Sequence, residues 1–185
     1  MIHIMEMYYE TDRLILRILS ENSAPQVLDF FEKNKAIFES FEPERPKNFY
    51  TLEYQSALLK CEFDLIVKMG TLRFWIFTKE QPQQIIGTVS FQNIIRSVYQ
   101  SCQIGYKFDP LYWKQGYATE GITKAISIIF QEFHLHRIDA LVLPNNKPSI
   151  RLLERLGFQA EGLCRSCIFL NNHWTDHLRY SLIQD

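Results

Sequence analysis

Apolar and polar positions recur along this chain with periods that change at definite points, and those points mark out its elements. Tyr9 to Leu19 sets Leu14, Leu16 and Ile18 against Arg13, Ile15 and Arg17, a period near two that predicts a first strand. From Ser23 to Lys33, Val27, Leu28 and Phe31 recur as one helical face, with Ser23 placed as a cap. Pro43 and Pro46 mark a loop. Thr51 opens a second helical stretch that carries Leu52, Leu58, Leu59 and Leu65 and ends near Gly70. Three runs rich in Ile, Val, Phe, Tyr and Thr then predict strands at Leu72–Thr78, Gln84–Gln92 and Cys102–Phe108. Between Tyr117 and His134, Ile122, Ala125, Ile126, Ile129, Phe130 and Phe133 return at helical spacing, the strongest helical signal in the chain. A short strand at Ile138–Leu143 and a short helix at Ser149–Leu156 follow, with Gly157 suited to the position just past a helix end. Strands at Leu163–Leu170 and His173–Ile183 flank Asn171-Asn172, a tight hairpin turn. The order strand, two helices, three strands, helix, strand, helix, two strands describes one mixed α/β domain over residues 1–185, not a doubly wound fold.

Composition narrows the class. With 185 residues, 46% hydrophobic and 14% aromatic, the chain is long and apolar enough for a real core, which excludes disorder. A formal net charge of −1 offers no bulk attraction to nucleic acid or anionic membranes. No stretch approaches the ~20 apolar residues of a membrane span. Met1 to Arg13 mixes His3, Glu6, Glu10 and Asp12 among apolar residues, unlike a secretory signal. A cytoplasmic protein is expected, with Cys61, Cys102, Cys164 and Cys167 as free thiols.

Candidate chemistry concentrates in Asp109 to Glu120, where a strand meets the long helix at Gly116. The first amides of a helix lack internal partners and carry the positive end of its dipole, which suits a diphosphate. Small Gly116 and Ala118 would let the anion approach, Lys114 would add charge and Thr119 a hydroxyl. Cys164-x-x-Cys167 with His173-x-x-x-His177 has the look of a zinc pattern. A two-residue hairpin turn sets 164 opposite 179 and 167 opposite 176, so Cys167 would face away from Cys164, His173 and His177, and no metal is expected. His134 and His136 are assigned to the end of the long helix.

Several segments, in order and spread over nearly the whole chain, resemble the GNAT acetyltransferase superfamily. Within it they are most similar to the RimJ/RimL type of ribosomal-protein N-terminal acetyltransferases. They are Thr11-Asp-Arg-Leu-Ile-Leu-Arg17, Ile86-Gly-Thr88, Ile104-Gly-Tyr106, Gly116-Tyr-Ala-Thr-Glu120, His136-Arg-Ile138, Asn146-Lys-Pro-Ser-Ile150, Leu156-Gly-Phe158, Glu161-Gly162 and Trp174-Thr-Asp-His177. The resemblance implies a single-domain fold with a mostly antiparallel sheet, flanking helices and a splayed central strand pair. It implies acetyl-CoA as cosubstrate and an amine as acceptor. The family's pyrophosphate motif falls on Trp113 to Ala118, with Trp113 where Arg or Gln usually stands and Lys114 in place of a frequent Gly, so the cofactor-binding set becomes Lys114, Gln115, Gly116, Tyr117, Ala118 and Thr119. The splayed strands, Cys102–Phe108 and Ile138–Leu143, would take the pantetheine arm, and a backbone N–H near Phe108 would hold the oxyanion. Asn146 resembles the residue that holds the arm near its sulfur, and Ser149 a general acid for the departing thiolate. Ser149 also suits a helix cap, and both readings stay open.

A general base is missing from each position the family supplies, which hold Gln103, Leu141, Leu153 and Ile168. Glu120, Glu161, Asp176 and His177 are left, and structural or solvated roles are expected for them. An α-amine titrates near ~8 and a lysine near ~10.4, so roughly a tenth of the former is already uncharged at neutral pH. Lack of a base therefore favours the N-terminus of a ribosomal or other cytoplasmic protein as acceptor. The alternatives are a small amine (antibiotic, polyamine or amino acid) or a non-catalytic coenzyme A-binding module. Neither nucleic acid nor membrane is expected as a direct partner, and a homodimer is left open.

Overall fold

The structure, a computed structural model, describes residues 7–68 and 70–184. The reading of His3 and Glu6 lies outside them. Eight strands form one sheet in the order β1-β2-β3-β4-β5-β6-β8-β7. They are β1 Tyr8–Glu10, β2 Leu14–Arg17, β3 Leu72–Thr78, β4 Ile85–Ile95, β5 Ser101–Phe108, β6 Arg137–Val142, β7 Gln159–Leu170 and β8 His173–Ile183. The helices are α1 Ala24–Lys33, α2 Lys35–Phe38, α3 Leu52–Val67, α4 Tyr117–Gln131 and α5 Lys147–Arg155. The sheet is antiparallel except where β5 meets β6. Among the described residues, no helix is long and apolar enough to cross a membrane.

The first strand expected from Tyr9 to Leu19 is instead a hairpin, β1 against β2. Thr11 turns the chain: its Oγ1 accepts from the Leu14 amide at 3.0 Å, and its own amide bonds Leu14 O at 3.0 Å. In β2, Leu14, Ile15 and Leu16 are all buried, because helices cover both faces of the sheet there. The same sandwiching buries Phe74 and Ile76 of β3 on one side and Trp75 and Phe77 on the other. The second side is an aromatic cluster in which Phe31 meets Phe49, Trp75 and Phe38 edge-on, with centroids 5.1 to 6.4 Å apart. Thr51 caps α3 by accepting from the Tyr54 amide at 3.2 Å.

On the opposite side α4 lays Ile122, Ala125, Ile126 and Ile129 into a core shared with Ile104, Ile138 and Ala140. This helix stops at Gln131, and His134, with φ 51°, lies beyond it in the left-handed region. His134 and His136 are therefore not in its last turn, contrary to the sequence expectation. Gly157, with φ 89°, follows α5 as expected.

The β7–β8 turn falls where expected, with Leu170 opposite His173 and both Asn171 and Asn172 at positive φ. The register then changes. A bulge between Cys164 and Ile168, with Ser166 at φ 47°, places Cys164 opposite His177 instead of Arg179. The Ser166 amide donates to Asp176 Oδ1 at 2.7 Å, which holds the bulge. The facing argument built on an unbroken ladder thus fails past Ile168. No group of three metal-ligating side chains is assembled among the described residues.

One close approach ties the sheet to the site. Gly87 of β4 lies across from Phe108, and a Cβ there would come within 2.4 to 2.8 Å of the Phe108 ring. The ring is buried and cannot swing away, so Gly87→Ala is expected to destabilise by about 1–3 kcal/mol. Urea titration should show a lower midpoint with an unchanged slope.

Candidate active site

Past Gln103 and Asp139, β5 and β6 share no ladder: the parallel pairing covers only Ser101–Arg137, Cys102–Ile138 and Gln103–Asp139. β5 stays bound to β4 as far as Phe108. The Asp109 amide donates to Ile86 O at 2.9 Å, so it points toward β4. Amides alternate along a strand, and that of Phe108 therefore points into the gap toward β6. The Phe108 carbonyl accepts from Trp113 Nε1 at 2.8 Å. Trp113 thus has a definite task in the loop, although its residue type departs from the family motif.

A short 3-10 helix, Pro110–Tyr112, leads into that loop and is capped by Asp109 Oδ1, which accepts from Leu111 N at 2.9 Å. Gly116 is the N-cap of α4 at φ 84°, where only glycine is unstrained. It is exposed, and a Cβ would stand 3.1 Å from Arg13 Nη2. Arg13 braces the whole turn. Its guanidinium bonds Glu120 Oε2 at 2.7 Å and donates to Gln115 O at 3.1 Å, and it covers the Tyr117 ring at 4.5 Å. Thr11 Oγ1 donates to Glu120 Oε1 at 2.6 Å. Burial raises the Glu120 carboxyl, but the Thr11 and Arg13 bonds outweigh it and hold the group below its ordinary range.

The sequence-derived set is therefore mixed. Lys114 and Gly116 lie exposed on the loop, and Ala118 and Thr119 are half-buried in the first turn of α4. Gln115 Nε2 is used on Leu111 O at 2.8 Å, and Tyr117 packs under Arg13 and against Tyr112. The backbone amides of the turn and the Lys114 side chain are the groups here suited by chemistry to an anion.

Beyond the end of β6, Asn146 precedes α5, and its Oδ1 accepts from the Ser149 amide at 3.2 Å. Asn146 is the cap. Ser149 lies inside the first turn, because α5 begins at Lys147 and not at Ser149. Its hydroxyl is 2.8 Å from the hydroxyl of Tyr106 on β5. The phenol is pushed up to about 12 by burial, against a smaller lowering from Ser149. Tyr106 belongs to the Ile104-Gly-Tyr106 segment, but nothing local to it indicates a partner 43 residues away.

On the opposite face of the sheet the register aligns Arg73, Ser90 and Gly105, and beside them Trp75, Thr88 and Lys107. Gly105 is exposed there. Lys107 bonds Glu42, which also accepts from Arg45 at 2.6 Å, and Arg73 pairs with Glu62 at 2.9 Å. The Lys107–Glu42 and Arg73–Glu62 pairs were invisible in the sequence because each depends on tertiary packing, whereas Arg45–Glu42 is local. Glu161 accepts from Arg137 at 2.5 Å and from Ser181 at 2.7 Å; these bonds hold it down at about 2. His177 is 5% exposed, with Nδ1 lacking a hydrogen-bond partner, and burial lowers its pKa.

Residues 13–159 match the family model described as an acetyltransferase (GNAT) domain. The chain is 35% identical over 164 residues to the probable N-acetyltransferase YjcK of Bacillus subtilis, covering 89% of this chain and 90% of that protein. It is 30% identical over 174 residues to the [ribosomal protein uS5]-alanine N-acetyltransferase of Escherichia coli, covering 93% and 88% of the two chains. The crystal structure of the ribosomal-protein-S5-alanine acetyltransferase from Vibrio fischeri superposes with a TM-score of 0.91 at 29% identity, covering 97% of this chain and 98% of that one.

Gly116→Asp would place a carboxylate at the loop where an anion is to bind and would crowd Arg13. It is expected to weaken acetyl-CoA binding by at least about tenfold, or about 1.4 kcal/mol, in calorimetry. Circular dichroism should show the fold retained.

Proposed function

Because the chain belongs to the GNAT acetyltransferase family, it moves an acetyl group from acetyl-CoA to an amine, and we propose that this amine is the α-amine at the N-terminus of a cytoplasmic protein, a ribosomal protein in particular. The supporting observation is the engagement of the carboxylates. Glu42, Glu62, Glu120, Glu161 and Asp176 all accept a hydrogen bond or an ion pair from this chain. Glu62 is raised by burial although paired with Arg73, whereas Glu42, Glu120 and Glu161 are held below their ordinary range and are weak bases, which leaves the acceptor to supply much of its own deprotonation. An α-amine does this far better than a lysine. The named activity of the Escherichia coli relative, on an alanine of a ribosomal protein, agrees with this reading.

In this reading the diphosphate of acetyl-CoA rests on the turn at Gly116, with Ala118, Thr119 and Lys114 around it, and the pantetheine arm enters between β5 and β6. Lone-pair attack by the amine forms the C–N bond, and the Phe108 amide stabilises the oxyanion. The C–S bond then breaks, the sulfur keeping its electron pair and taking a proton from Ser149. Asn146 orients the start of α5 through its cap, and its amide nitrogen is available to the arm. Gln115 and Tyr117 serve the turn through Arg13 and Leu111, a bracing role in place of direct contact with the cosubstrate.

For a peptide offering only an α-amine, kcat/KM should rise with pH and level off near about 8; for a peptide offering only lysine the rise should continue toward about 10. A common plateau below about 6.5 would identify a base of the enzyme, with His177 the first to test, and a preference for the lysine peptide at neutral pH would refute the acceptor assignment.

Ser149→Ala is expected to lower kcat by about 10²–10⁴-fold with little change in the acetyl-CoA KM. Its melting temperature should hold, since Asn146 is the cap. Asn146→Ala, by contrast, should cost about 1 kcal/mol of stability in the same unfolding assay.

A further inference from the structure

We propose that Tyr106 is a positioning residue for the transfer step, its phenolic O–H donating to Ser149 Oγ so that the proton of Ser149 is left free for the sulfur. This rests on the reading of Ser149 as the acid. The two hydroxyls lie 2.8 Å apart, across the gap between β5 and α5. The next acceptor near the phenol, Ser149 O, is at 3.4 Å, a poorer alternative. A phenol is the stronger donor of the two hydroxyl types and an aliphatic alcohol the better acceptor, so the bond runs from Tyr106 to Ser149. With its pKa pushed up to about 12, the phenol keeps its proton throughout the working range. A serine hydroxyl can accept one bond and still donate one.

The consequence is directional. Without Tyr106, the Ser149 hydroxyl is free to rotate and turn its proton toward water or the Asn146 carbonyl three residues back, a local bond of the kind serine makes. With the phenol donating, that oxygen is anchored. When the C–S bond breaks, sulfur takes the proton of Ser149. The seryl oxygen, stabilised by the phenolic bond, then takes the proton lost by the newly bonded nitrogen. Protons balance, and Tyr106 ends the cycle unchanged. Its ring packs against the core that contains Ile150 and Leu153 of α5 together with the apolar face of α4.

The test is a double-mutant cycle on the full chain with Tyr106→Phe, Ser149→Ala and the pair. Phe preserves the ring, and thermal melting checks the fold. CoA release from acetyl-CoA is followed in single turnovers, with a peptide bearing an N-terminal alanine and with water alone as acceptor. Tyr106→Phe should lower the rate about tenfold, the equivalent of one hydrogen bond of about 1.4 kcal/mol, while the acetyl-CoA KM is unchanged. In the Ser149→Ala background the same change should have no further effect. An equal loss in both backgrounds, or a wild-type rate for Tyr106→Phe beside a slow Ser149→Ala, would overturn the proposal for Tyr106 alone. A wild-type rate for Ser149→Ala would overturn the acid reading beneath it.

Discussion

Two neighbouring strands of a sheet normally satisfy each other's amides along their length, and β5 and β6 do so for only three residue pairs. Each strand is held from its other side, β5 by β4 and β6 by β8, so the pair can part without either strand losing its place. α4 packs beneath both, with Ile122, Ile126 and Ile129 touching a core that includes Ile104, Ile138 and Ala140. The result is an edge inside the sheet. Unpaired backbone groups are costly unless a partner satisfies them. A ligand with amides of its own, as in a pantetheine arm, meets that requirement, and the Gly116 turn and the Ser149 helix follow β5 and β6 at the end where the two strands part.

The charged groups around this gap hold geometry more than they add stability. The Arg13–Glu120 pair is half exposed on its Arg13 side, where an ion pair contributes little. Its value lies in joining the β1–β2 turn to the loop before α4, so that Gly116 is presented in one conformation. Lys107, Glu42 and Arg45 are more deeply buried, and loss of one member would leave the others unpaired. They attach the loop after α2 to β5, on the face opposite α4.

Much of this was legible in the sequence, for a physical reason. Periodicity reports which face of an element meets a core, so α1, α3, α4 and the runs of β3, β4 and β5 were readable locally. Gly157 and the Asn171-Asn172 turn were readable because positive φ restricts the residue type. Local patterns failed where a side chain overrode them. Thr11 broke the first strand into a hairpin, and Asp176 held a bulge that moved Cys164 opposite His177.

By itself the sequence determined the element order, the glycine at the start of α4 and the residue types Asn146 and Ser149, because each is encoded within a few positions. Only the tertiary structure decided how those residues are used. It gave the cap to Asn146 and released the Ser149 hydroxyl to Tyr106, and it bound Glu120 to Arg13 and Glu42 to Lys107. These partners lie 65 to 107 residues apart for the ion pairs and 43 for the hydroxyls. A hydrogen bond or ion pair is decided at about 3 Å, and nothing in a local pattern carries that distance across the chain.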